Sequence, residues 1–267
     1  MLRNVFLKTL RDGRRALLGW SIGLVLLSAY VTSLWPTVRQ NAAQFNEFLD
    51  NAPDALRAFA GGVRVDFTTG PGYLNSQVFT FMVPLLFVIF ATRLGARATA
   101  GEEQAGTMDL LLSTPVPRMR VVGQKFLAML VATVLLGLVL WAAFAVGTTA
   151  MDMGVSLGNL AGIVASAALL GLAFGSLALL VGALRGSRGT AVAVTATVAV
   201  ATYLINAIAA IAPDIDDLRL FSPFNYYNGA DPLRNGADPG HLILLGGLAA
   251  VAFILSLAAF ERRDIAT

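Results

Sequence analysis

Six stretches of this chain are long enough to cross a bilayer and carry no charged residue: 16–34, 73–92, 126–149, 160–184, 189–213 and 240–260. Crossing the hydrocarbon core takes about 20 apolar residues in a helix. A helix satisfies its own backbone in lipid, so helix is the expected state of each run. Composition agrees: 57% of the chain is hydrophobic and 13% is charged, about half the charged share of a soluble domain. Buried helices of a soluble protein are the alternative, and six such runs in 267 residues argue against it. The expected class is an all-α membrane protein with six transmembrane helices, forming a single transmembrane domain over 1–267.

Orientation follows from the basic residues, which favour the cytoplasmic side. Fourteen fall on one side: Arg3, Lys8, Arg11, Arg14 and Arg15 before the first run; Arg93, Arg97, Arg118, Arg120 and Lys125 after the second; Arg185 and Arg188 after the fourth; Arg262 and Arg263 after the sixth. The other side has five: Arg39, Arg57, Arg64, Arg219 and Arg234. Both termini and the segment 97–125 are therefore expected in the cytoplasm. The first run is too long for a cleavable signal. Before it, Leu2, Val5, Phe6 and Leu10 share a helical face, which predicts an N-terminal amphipathic helix on the inner membrane surface.

Several chemistries are excluded. With no cysteine there is no disulfide, thiol nucleophile or cysteine metal site. The sequence pI of 9.6 is no sign of nucleic acid, because the basic residues sit at the edges of apolar runs. No run contains the acid or base that ion-coupled carriers use. His241, the sole histidine, stands at the edge of the sixth run and reads as interfacial. A phosphate-binding loop needs a lysine between Gly and Ser or Thr. The only lysines, Lys8 and Lys125, follow Leu7 and Gln124. If this chain uses ATP, another chain holds it.

Outside the membrane, Phe45, Phe48 and Leu49, then Leu56 and Phe59, recur at helical spacing, with Pro53 at a helix start. They predict two amphipathic helices in the outer loop 35–72, capping the bundle rather than gating it. Tyr226 and Tyr227 fit an interfacial aromatic belt. Pro84 is expected to bend the second span. Gly154, Gly158 and Gly162, then Gly171 and Gly175, allow close helix approach, in a dimer or within one bundle.

The segment between the second and third runs differs from the rest. Thr107 suits an N-cap and Asp109 the first turn. Met108, Leu110, Leu111 and Leu112 follow, and Pro115 and Pro117 stop the helix. This short helix has more apolar side chains than one face can hide. Its leucines lie in lipid, or they fill a groove on a cytoplasmic partner, with Glu102 and Glu103 orienting a basic rim. Physics alone leaves both readings open.

The stretch EEQAGTMDLLLSTPVPR, beginning at Glu102, resembles the cytoplasmic segment of ABC-2 type transporter permeases, with Met108 where leucine is common. LLGWSIGLVLL in the first run, APDALRAFAG in the outer loop, and DPLRNG and FERRDI near the C-terminus resemble other parts of the same family. The resemblance implies six membrane helices per subunit, a dimer of identical or similar subunits, and export driven by a separate P-loop ATPase. It implies a cytoplasmic coupling helix after the second span. Glu102, Glu103, Gly106, Thr107, Met108, Asp109, Leu110, Leu111, Leu112 and Ser113 would contact the ATPase. It implies no cofactor bound by this chain, with ATP and Mg on the partner, and a prokaryotic inner membrane as the location. The competing readings are a stand-alone carrier or channel, a non-transporting regulator of an ATPase, and an intramembrane enzyme. No Ser–His pair or carboxylate dyad lies in the spans to support the last.

Overall fold

A computed structural model describes residues 5–41, 44, 47, 51, 53, 67–98, 117–210 and 213–262. Among them all regular secondary structure is helical, without a strand. The helices are α1 (Val5–Gln40), α2 (Gly70–Leu74), a π-turn (Asn75–Phe79), α3 (Met82–Ala96), α4 (Arg118–Ala150), α5 (Leu157–Arg185) and α6 (Arg188–Ala209). A 3-10 helix (Pro213–Phe221), α7 (Pro223–Asn228), α8 (Pro232–Asn235) and α9 (Pro239–Arg262) complete the described chain. Five helices are long and apolar enough to cross a membrane, or six if the bent pair α2/π-turn and α3 forms one span. The two outer-loop helices expected around Phe45 and Leu56 fall on residues outside those described.

The bundle is built around α5. Within its apolar stretch 78% of residues are buried by protein, against 17% in α6 and in α9. Its composition explains the position: small Ala, Gly and Ser residues on every face let neighbours approach closely. A Cβ added at Gly171 would lie 2.9 Å from the Phe87 carbonyl oxygen, and one at Gly175 would lie 3.0 Å from that of Ala91. A Cβ on Gly95 would overlap the Gly175 carbonyl oxygen. Gly171 and Gly175 therefore serve the α3–α5 crossing inside one subunit. Gly162 likewise faces Ala237, while Gly154 supplies a left-handed turn at φ 65°.

Local signals set the ends of α5. Ser156 accepts from the Asn159 amide at 3.4 Å, and Gly186 closes the far end at φ 63°. Ser187 then caps α6 by accepting from the Thr190 amide at 3.3 Å. Two residues thus turn α5 back into α6. α6, α9 and α1 leave apolar side chains outward, including Ile22, Leu26, Val200, Ile243 and Ile254. Such faces suit contact with lipid or another subunit.

Three expectations need correction. The N-terminal amphipathic segment is no separate surface helix, because α1 runs unbroken from Val5 through Pro36 to Gln40. Leu10 and Leu17 pack on the core while Lys8, Arg11, Arg14 and Arg15 stay exposed. The amphipathic pattern is real, but Val5, Phe6 and Leu10 on its apolar face are partly buried by protein.

The second span does bend, by 41°, yet not at Pro84. The break lies at Thr80 and Phe81, after the π-turn. Pro84 is the third residue of α3, where a missing N–H costs little. Carbonyls freed by a break in a membrane helix need new donors. Tyr227 Oη donates to the Phe79 oxygen at 2.6 Å, and the Thr80 amide and hydroxyl both donate to Asn75 O at 2.8 Å. Asn228 Nδ2 also donates to Asn75 Oδ1 at 2.9 Å.

Tyr227 is therefore a buried brace, not a member of an aromatic belt. Tyr226 remains partly exposed, its ring edge-on to His241 with centroids 5.2 Å apart.

Asp231, between α7 and α8, has a left-handed backbone (φ 49°) and a buried Oδ1 without a hydrogen-bond partner among the described residues. Burial pushes its carboxyl above the ordinary 3.8, against the opposing pull of the Arg234 guanidinium and backbone N–H. The folded state thus holds this proton to higher pH than the unfolded chain, and the group's contribution to stability falls as pH rises through 3.8. Asn tolerates the same backbone. Asp231→Asn is expected to raise the unfolding temperature at pH 7 and to flatten its dependence on pH just above 3.8, both measurable by thermal denaturation in detergent.

Candidate functional site at the basic end of the bundle

The proposed ATPase-contacting residues from Glu102 to Ser113 lie outside the described residues. Their two flanks are described. α3 ends at Ala96, and the next turn carries Arg97 and Ala98. The chain is described again from Pro117, whose carbonyl accepts from the Arg120 amide at 2.9 Å to start α4. Eight residues expected to belong to the cytoplasmic segment, 118–125, are thus the first turns of α4. Charge ends an apolar run but does not end a helix: Arg, Met, Gln and Lys are good helix formers.

Lys125 ties the two flanks together. Its residue is 3% exposed, and Nζ donates to the Ala98 carbonyl at 2.7 Å. A buried ammonium needs such a partner, and the last carbonyls of a helix favour a cation. The bond links α4 to the point where the chain leaves α3. The chain therefore leaves the bundle and re-enters it at the same end. In the sequence Lys125 registers only as one more topology charge. The signal was its place, one residue before a charge-free run, in a chain with two lysines.

Lys125→Met is expected to free the Ala98 carbonyl. A hydrogen bond to a charged group contributes about 1.5–3 kcal/mol, so amide exchange over 93–98 should accelerate roughly tenfold or more. Exchange in α5 should stay unchanged. Hydrogen exchange by mass spectrometry reads both.

The start of α1 completes this end. Gln124 Oε1 accepts from the Phe6 amide at 3.3 Å. Between α1, the end of α3 and the start of α4 lies a cavity of about 330 Å³. Lys8, Arg97 and Lys125 line it, with Asp12 as the acid among the described lining residues, over an apolar wall that includes Leu17 and Phe90.

The helices, their apolar faces and the basic end define a multi-pass membrane protein. A family model described as ABC-2 family transporter protein matches residues 3–265. With nearly the whole chain matched, the protein belongs to that family, and it is an ABC-2 type transporter permease. No curated protein matches it.

Proposed function

We propose that this chain is the transmembrane subunit of an ATP-binding cassette exporter. It pairs with a second permease subunit and moves its substrate outward using ATP hydrolysed on a separate P-loop ATPase, which holds the ATP and Mg. Family membership across residues 3–265 is the observation that carries this reading. Two features of the chain support it. Neither lysine has a phosphate-loop setting, so the nucleotide site belongs on another chain. The connection between α3 and α4 is anchored by the Lys125–Ala98 bond, which provides a stiff base for a segment that transmits force.

In this reading residues 102–113 dock into a groove on the ATPase. Closure of the ATPase pair pushes on this segment, and α3 and α4 carry the displacement into α5 through the glycine-lined crossing. The broken second span, braced by Tyr227, provides an element able to change its bend. The membrane is the plasma membrane of a prokaryote, and both termini lie in the cytoplasm.

Co-expression with a candidate P-loop ATPase tests the proposal. The two should co-purify in detergent and hydrolyse ATP, and outward transport in proteoliposomes should require the ATPase's own phosphate-loop lysine. Transport by this chain alone, driven by an ion gradient, would establish a secondary carrier instead.

A further inference from the structure

The cavity between α1, α3 and α4 borders the Lys125–Ala98 anchor. Its chemistry divides in two. Among the described lining residues, Lys8, Arg97 and Lys125 are the cations and Asp12 is the acid. Leu17, Phe90 and Met129 supply an apolar wall along the helices. A volume of about 330 Å³ is at the lower end of small-molecule sites and suits a headgroup with the first part of its chains. The site also lies where α1 carries its exposed basic side chains, Lys8, Arg11, Arg14 and Arg15, the end expected at a membrane boundary. Basic pockets between membrane helices at that depth take anionic lipid headgroups.

We propose that this cavity binds one anionic phospholipid, its phosphate against Lys8, Arg97 and Lys125 and its acyl chains along Leu17 and Phe90. A bound lipid would join the start of α1 to the end of α3, beside Ala98. The lipid composition of the inner leaflet would then set how firmly the base of the α3–α4 connection is held. The inference stands apart from the ATPase reading, because its readout is lipid binding to this chain alone.

The test uses the full chain in phosphatidylcholine nanodiscs with and without phosphatidylglycerol, with retained lipid counted by native mass spectrometry. Lys8 and Arg97 are exposed, so Lys8→Gln with Arg97→Gln should fold. Arg11→Gln with Arg15→Gln removes the same amount of charge from the same end of the bundle, at α1 positions that do not line the cavity. One phosphatidylglycerol should be retained per chain. The first pair should weaken it roughly 10- to 30-fold, as expected for two lost basic contacts, and the second pair should leave it unchanged. Equal losses in both pairs would reduce the effect to general surface charge and overturn the site. So would retention without preference for phosphatidylglycerol over phosphatidylcholine. Glycerol phosphate, added as a competitor, should displace the lipid poorly. Displacement as effective as by diacyl lipid would assign the cavity to a soluble phosphate and overturn the lipid assignment.

Discussion

Met108→Asp combined with Leu111→Asp is expected to weaken capture of the ATPase by at least roughly 100-fold, the loss that follows when a central interface anchor contributing about 3 kcal/mol is removed. Each substitution replaces an apolar side chain with a carboxylate that a dry groove cannot solvate. The fold should survive, because both positions lie outside the membrane runs and neither is part of the Lys125–Ala98 anchor. The expected result is a permease that purifies normally, retains its helicity and no longer co-purifies with the hydrolase. Pull-down with circular dichroism separates this outcome from unfolding. Glu102→Gln with Glu103→Gln should act more mildly and through association rate, since rim charges steer more than they bind.

The second large effect is structural. Gly95→Leu is expected to destabilise the bundle by at least about 3 kcal/mol, at the upper end of overpacking costs. The obstacle is not a side chain that can rotate away. A Cβ at Gly95 would overlap the Gly175 backbone carbonyl and sit 3.2 Å from the Leu179 amide, so α3 and α5 must separate along their whole contact. Gly123→Ala is the matched control. Nothing lies within 4 Å of its added Cβ, and the exchange in a helix should be neutral or stabilising by up to about 1 kcal/mol. Unfolding midpoints in detergent compare the two. If separation of these helices also loosens the start of the coupling segment, Gly95→Leu will lower ATPase stimulation more than it lowers expression.

The helical membrane class was legible because absence of charge over 20 residues is a strong local signal. What escaped the sequence depends on distant partners. The break at Thr80 is held by the Tyr227 hydroxyl on Phe79, 148 residues away in sequence, and no residue near Thr80 announces it. Proline usually marks a bend, yet α3 begins only at Met82, so Pro84 is its third residue and is harmless there. Gly171 and Gly175 were visible as a close-packing pair, but spacing alone does not say whether the facing backbone belongs to the same chain. Lys125 was counted for its sign, whereas its role comes from burial against Ala98. The expected coupling residues lie outside the described chain. Their assignment rests on the resemblance and on the two flanks.

The chain contains no cysteine, so a single introduced thiol is the one labelling position on this chain. Leu111→Cys, expressed with the P-loop ATPase in its native membrane, gives the most direct measurement. The account predicts labelling by a membrane-impermeant maleimide only from the cytoplasmic side, and a short thiol-directed photo-cross-link to the ATPase subunit. A thiol labelled only from outside, or shielded in lipid without any cross-link to a nucleotide hydrolase, would contradict it.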